Sequence, residues 1–205
     1  MSERKIEWLV WGGLAATIFA ILAAFVLFPA RGKPPPIYGT LPDFTLIDQN
    51  NQTTTLATLR GHICIADVIF TRCAGQCLIM SAGMKEIQDA LPAPLPVKLV
   101  SFTTDPAYDT PAVLKKYGAR YDAQDDRWLF LTGDKTVLHH MTFNGLKLSA
   151  VAKSPADQEN ANDLFIHSTK LVLIDKEGRI RGYFDGETQE SVAQAVAAAK
   201  NLARQ

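Results

Sequence analysis

The chain is poor in cysteine. Only Cys64, Cys73 and Cys77 occur in 205 residues, an odd number and too few for a disulfide-stapled scaffold. Structural zinc takes four protein ligands, which three cysteines do not supply. The chain also lacks an excess of either charge: 21 Lys+Arg balance 21 Asp+Glu, for a formal net charge of zero. No basic run appears along it, so electrostatics offer no case for nucleic-acid binding. There is no internal repeat. What remains is the length of one ordinary domain with extras. A reactive thiol pair plus one bystander thiol fits the cysteine count.

The 47% hydrophobic content is inflated at one end. From residue 8 to residue 28 the only polar side chain is Thr17. A helix of that length spans about 31 Å, one bilayer core. A cleaved signal peptide has a shorter apolar stretch, of about 7–15 residues, followed by small residues, and LFPARG is a poor match to that. The expectation is an uncleaved anchor over residues 1–30, with the Trp8 and Trp11 rings at one interface. Arg4 and Lys5 on one flank nearly balance Arg31 and Lys33 on the other, so charge alone barely orients it. A short head and a large C-terminal domain favour head in and domain out. The few residues before the apolar run leave little room for an organelle transit peptide, which favours a bacterial inner membrane.

Residues 31–40 are proline-rich and read as a stiff, extended linker. The folded domain is expected over 41–205. FTLIDQNNQTTTL reads as two short strands around a DQNN turn. HICIADVIF, residues 62–70, is a nearly continuous apolar run suited to a buried central strand. A helix is expected over 75–91, with Met80, Met84, Ile87 and Leu91 on one face. VKLVSFT is a second strand. DTPAVLKKYGARY is a helix with Asp109 or Thr110 as N-cap and Pro111 near its first position. RWLFLTG is a third strand, and Asp134 opens a further short helix. Residues 152–164 form a polar loop. TKLVLIDKEGRIRGYF is a strand pair, and Thr188 starts a C-terminal helix. This order, with two thiols at a strand-to-helix turn, resembles an α/β thioredoxin-like fold behind an N-terminal transmembrane helix.

In FTRCAGQC the cysteines are four apart, projecting from one side of the first helical turn. The helix N-terminus and the Arg72 cation both favour the Cys73 thiolate. On a helix, i and i+4 lie roughly 6 Å apart at Cα, inside the disulfide window. The pair can therefore close a disulfide or hold one soft ion such as Cu(I). Spacing alone does not choose between them, and two unremarkable buried cysteines are the third reading. Among the four histidines, His62, His139 and His140 read as structural. His167 stands where the polar loop meets a strand, a junction that faces the cysteine turn in a thioredoxin-like fold, so it is the candidate third ligand. Cys64 reads as a buried bystander and Met80 and Met84 as core. DAQDD, residues 122–126, reads as a solvated loop.

Four stretches in one order resemble the Sco (SenC-like) family of membrane-anchored copper-binding proteins: the apolar anchor, FTRCAGQC, TTDPAYDTPAVLKKYGARY, and LFIHSTKLVLIDKEGRIRGYF. The resemblance implies copper held by Cys73, Cys77 and His167, and a domain facing the periplasm. It implies a role in assembling the binuclear copper centre of cytochrome c oxidase, as a metallochaperone or as a reductant of that site's thiols. The partner is then the copper-site subunit of the oxidase or another copper or thiol protein. The sequence departs from the family turn: Ala74 and Leu78 stand where prolines usually follow each cysteine, and Gly75 and Gln76 are neutral. A more flexible turn shifts weight toward redox exchange. The alternative is accordingly a membrane-tethered thiol–disulfide oxidoreductase in which Cys73 attacks and Cys77 resolves. The lack of a proline just before the 168–175 strand argues against it. A non-catalytic docking module with the thiols as a redox switch is a third reading. Asp105 reads as a turn former and Asp109 as a helix cap, with partner docking as their functional alternative.

Overall fold

The computed structural model describes residues 3–27, 35–73, 75–148, 150–152 and 165–204. It divides into two units, Met1–Pro34 and Pro35–Gln205. In the first, backbone hydrogen bonds make one helix, α1 (Glu3–Leu27), with apolar residues spread evenly around it. Side chains within it are described for residue 8 and for residues 11–23, where Trp8, Trp11, Leu14, Ile18, Phe19, Ile21 and Leu22 are exposed. Among the described residues no helix is long and apolar enough to cross a membrane.

The second unit is built around one sheet. Its elements in chain order are β1 (Gly39–Thr40), β2 (Thr45–Ile47), β3 (Thr53–Thr55), α2 (Leu56–Leu59), β4 (Ile63–Ile69), α3 (Gln76–Ala90), β5 (Val97–Thr103), α4 (Pro111–Ala119), β6 (Trp128–Leu131), α5 (Lys135–His140), β7 (Ala150–Ala152), β8 (Phe165–His167), β9 (Lys170–Ile174), β10 (Arg179–Asp185) and α6 (Gln189–Ala203). The six-stranded sheet runs β1-β10-β9-β4-β5-β6. β4, β5 and β6 are parallel, and β9 lies antiparallel against β4. β2–β3 and β7–β8 are separate antiparallel pairs.

Every residue of β4 is buried, as the apolar run predicts, because both faces of this strand are covered. Ile63, Ile65 and Ile69 point into a core with α3, α4 and α6, where Met80, Met84, Ile87, Leu114, Tyr117, Val192 and Ala199 meet them. Cys64, Ala66 and Val68 point the other way, onto Leu46, Leu56, Leu138 and Met141. The alternation is the period-two geometry of a strand.

Side chains end the helices as expected. Thr55 and Thr58 make a reciprocal capping box on α2. Thr110 accepts from Val113 N–H at 3.4 Å with Pro111 in the first turn, and Asp134 accepts from Thr136 and Val137 N–H. Thr110, not Asp109, is thus the cap of α4. The DQNN turn places Asn51 at φ +61°, a conformation asparagine tolerates. Two features exceed the sequence reading. The helix from Asp134 continues as a π-turn over Met141–Gly145. The polar loop is flanked by the β7–β8 pair, which sets Ala150 opposite His167.

Candidate functional site

β4 ends at Ile69 and the chain turns immediately, with Cys73 N–H donating to the Phe70 carbonyl at 3.1 Å. α3 then starts from Gly75, which has no side chain to cap it. The Cys77 N–H instead donates to the Cys73 sulfur at 3.5 Å. Cys73 is half-buried at the surface and Cys77 lies fully inside the core. None of the three cysteines is joined in a disulfide. The hydrogen bond with the Cys73 thiol, then burial, push the Cys77 thiol far up, and the nearby Asp67 carboxylate adds to this; only a Phe70 backbone hydrogen bond opposes it. The pair is therefore asymmetric: one thiol is reachable, and the other lies buried beneath it.

Cys64 is the bystander the sequence suggests. It points to the opposite core, and burial pushes its thiol up to about 12 against a small opposing effect of Lys98.

The loop after β5 closes over the thiol turn. The Arg72 guanidinium meets the Asp105 carboxylate at 2.5 Å and lies 4.4 Å from the centre of the Tyr108 ring. The cation expected to act on Cys73 is thus engaged by Asp105. Asp109 is fully buried. It accepts from the Thr71 N–H at 3.1 Å and from the Thr71 hydroxyl at 2.5 Å, and also from the Thr103 hydroxyl. Burial raises its carboxyl above the usual range, although these hydrogen bonds pull it back. From α4, the Tyr117 hydroxyl donates to the Cys77 carbonyl at 3.3 Å and shares a 2.8 Å hydrogen bond with Ser81.

Asp67 went unnoticed inside the apolar run. It is a wholly buried carboxylate in the middle of β4. Strand alternation puts it on the Ile65–Ile69 face, toward α3. The signal was available: it is the one charged residue of that run. Around the turn, Leu78, Ile79 and Tyr108 are exposed.

His167 is the last residue of β8, and its side chain lies outside the described residues. Its backbone position follows from the sheet. β9 pairs with β4 in the register Cys64↔Ile174 and Ala66↔Val172. The start of β9 therefore lies level with the C-terminal half of β4, and β8 ends at the end of the sheet from which the thiol turn emerges. The His139 ring packs at a tilt against Phe143, with ring centres 4.3 Å apart, while Met80 and Met84 are fully buried. Asp125 pairs with Lys115 at 3.3 Å, and Ala74 lies outside the described residues. Among the described residues no group of three or more His, Cys, Asp and Glu side chains could hold a metal ion. The donor chemistry at the turn is nonetheless that of a soft site, with two sulfurs at one helix start.

Comparison with known proteins agrees with this geometry. The family model SCO1/SenC matches residues 36–203. The SCO1 protein homolog of Bacillus subtilis is 33% identical over 156 residues, covering 75% of this chain and 77% of that protein. The structure of BsSco superposes with a TM-score of 0.70 at 28% identity, covering 83% of this chain and 96% of that one. BsSco is described as a member of the Sco family of cytochrome c oxidase assembly proteins with a disulfide switch. Bradyrhizobium japonicum ScoI, solved with copper bound, superposes with a TM-score of 0.67 over 80% of this chain and 99% of that one. At 22% identity that likeness is one of fold alone. A strand-to-helix thiol turn on a mixed sheet, matched by the family model over nearly the whole second unit, places this chain in the SCO1/SenC family.

Proposed function

We propose that the chain is a membrane-anchored copper carrier that helps assemble the binuclear copper site of cytochrome c oxidase. In this reading Cys73, Cys77 and His167 hold the ion as cargo. The observation that carries it is the sulfur pair at the start of α3: one reachable thiol and one core thiol, bridged by the Cys77 N–H. Two thiolates and an imidazole are a donor set that Cu(I) favours. A relative at 32% identity, described as a putative copper-binding protein of Stutzerimonas stutzeri, supports the cargo, and the assembly role given for BsSco supports the destination. Thiols must lose their protons to bind, so loading releases the proton that the Cys77 thiol otherwise keeps. Delivery is then ligand exchange with the acceptor's thiols.

α1 is the anchor in this reading. The support for it is the sequence itself, in which Thr17 is the one polar side chain from residue 8 to residue 28. The second unit then faces the periplasm from the inner membrane. Retention of the full chain in carbonate-washed membranes, and its loss on removing residues 1–34, tests the anchor.

Copper binding to the reduced full chain, measured against a calibrated Cu(I) competitor, tests the cargo. One-to-one binding that Cys73→Ser and His167→Ala each weaken by tenfold or more, on the order of 1.4 kcal/mol, is expected. Affinity indifferent to His167→Ala removes that residue from the ligand set. Binding indifferent to Cys73→Ser ends the copper reading. A second reading is favoured by the asymmetry of the thiols: reachable Cys73 as nucleophile and buried Cys77 as resolver suit a thiol–disulfide oxidoreductase. Turnover of a disulfide substrate that needs no His167 is its mark.

A further inference from the structure

The turn that carries the two sulfurs is weakly specified by its own sequence. Gly75 caps α3 without a side-chain hydrogen bond. Bonds within it include Cys73 N–H to the Phe70 carbonyl, Leu78 N–H to the Gly75 carbonyl, the long Cys77 N–H to sulfur contact, and the Cys77 thiol's hydrogen bonds with the Phe70 backbone and the Cys73 thiol. Two further anchors reach the turn from outside it, one from just before α4 and one from α4 itself.

Upstream of Cys73, Thr71 gives both its N–H and its hydroxyl to Asp109. Downstream, Tyr117 gives its hydroxyl to the carbonyl of Cys77 itself. Asp109 stands one residue before the Thr110 cap of α4, and Tyr117 sits in the second turn of that helix. Both are buried, so these bonds are not exchanged for water at no cost. Each anchor is itself held. Asp109 accepts from the Thr103 hydroxyl at the end of β5, and its N–H donates to the Asp105 carbonyl at 2.8 Å. Tyr117 packs edge-on against Phe130 of β6, with ring centres 6.1 Å apart. The thiol turn is thus hung at both ends from one short segment, α4 and the residues that lead into it, which is fastened to the sheet.

We propose that the α4 segment is a clamp on this turn, and that Asp109 and Tyr117 are positioning residues that fix how far apart the Cys73 and Cys77 sulfurs stand. The inference rests on reading the two cysteines as a working pair and adds what sets their spacing. Holding two reacting groups near each other removes part of the entropy cost of closing a bond between them or around one ion. The clamp therefore strengthens both disulfide closure and two-sulfur metal binding, and loosening either anchor weakens both.

The test uses the full chain in detergent, equilibrated against mixtures of reduced and oxidised dithiothreitol. On closure the Cys73 and Cys77 thiols give two electrons and two protons to oxidised dithiothreitol. One S–S bond forms in the protein and the S–S bond of the reagent opens to two thiols. The fraction closed is read by alkylation and mass measurement. Tyr117→Phe and Thr71→Val are each expected to lower the closure constant by about fivefold, the scale of one buried hydrogen bond. Thr71→Ser keeps the hydroxyl and restores the wild-type constant. Thr71→Val combined with Asp109→Asn loses less than the sum of the two alone, because both changes act on the Thr71 hydroxyl bond to Asp109. If Asp109→Asn does not fold, the Tyr117 and Thr71 variants carry the test.

Asp175→Asn, which weakens an ion pair at the far end of β9, controls for loss of stability alone and is expected to leave the constant unchanged. Folded Tyr117→Phe and Thr71→Val proteins with the wild-type constant overturn the clamp, as does an Asp175→Asn protein shifted as far as they are. A wild type that neither closes the disulfide nor takes up Cu(I) overturns the working pair itself. A wild type that closes it, beside unaltered variants, overturns only the clamp.

Discussion

The Asp105 carboxylate holds the Arg72 guanidinium at 2.5 Å, against the Tyr108 ring and one residue before the reachable thiol. The arrangement raises the Arg72 pKa further, first through the Asp105 hydrogen bond. It also gives the charge a fixed partner other than a thiolate. Replacing Asp105 by Asn removes a nearby negative charge and releases the cation, and both changes favour ionised Cys73. Alkylation of Cys73 by iodoacetamide at neutral pH is expected to quicken by about threefold in Asp105→Asn and to slow in Arg72→Met. Equal rates in all three proteins would show that Arg72 has no electrostatic hold on this sulfur.

Cys64 answers the same reagent differently. Its thiol is buried on the other face of β4 and pushed up to about 12 by that burial. Native protein at pH 8 is expected to take label at Cys73 and none at Cys64, while unfolded protein takes it at both. Cys64→Ala leaves the closure constant of the working pair unchanged and costs about 1 kcal/mol of stability, the scale of a small core truncation. Labelling of Cys64 in the native protein would mean that β4 opens far more readily than its packing implies.

Asp175 gives the fold an acid limit. Burial opposes its charge, but hydrogen bonds from the Arg179 backbone and guanidinium prevail and hold its carboxyl below the usual range. Arg181, itself buried, donates to it at 3.0 Å. A depressed carboxylate contributes stability that is complete above its unfolded value, about 3.9, and is lost as pH falls toward the native one. At pH 7, Asp175→Asn is expected to cost about 3 kcal/mol, because it leaves a buried guanidinium uncompensated. In urea unfolding that deficit holds steady down to about pH 5 and shrinks below about pH 4. A deficit that does not change with pH would assign the loss to packing instead of charge.

The sequence made the frame legible because the frame is periodic. β4, α3, β5, α4, β6 and α6 all bury the faces their patterns single out, and Thr110, Asp134 and Thr188 cap where short polar side chains should. What escaped is non-local. Asp109 and Thr110 are equally good caps by composition, and only the arrival of Thr71, 38 residues away in sequence, draws Asp109 aside. Arg72 looked like the activator of Cys73 because its neighbour in sequence is a thiol, whereas its partner in space lies across the next strand. Asp67 was concealed by its surroundings, since one carboxylate hardly alters the apolar average of a seven-residue strand. The role of His167 rests on chain order and resemblance, with its backbone alone fixed at the end of β8.

The mixed sheet has a practical corollary. β4 and β5 run parallel, so the thiol turn and the Asp105–Asp109 loop leave the sheet at one end. β9 runs against them, so its turn to β10, at Asp175–Arg179, lies at the other. The thiol turn and the Asp175 ion pairs therefore occupy opposite ends of the sheet in the second unit and answer to different side chains. A tag, a spectroscopic label or a few added residues at Lys176–Glu177 would sit at the end that the thiols never see. The second unit carries a natural handle, by which it can be held to a surface while the thiol end of the sheet stays free to react.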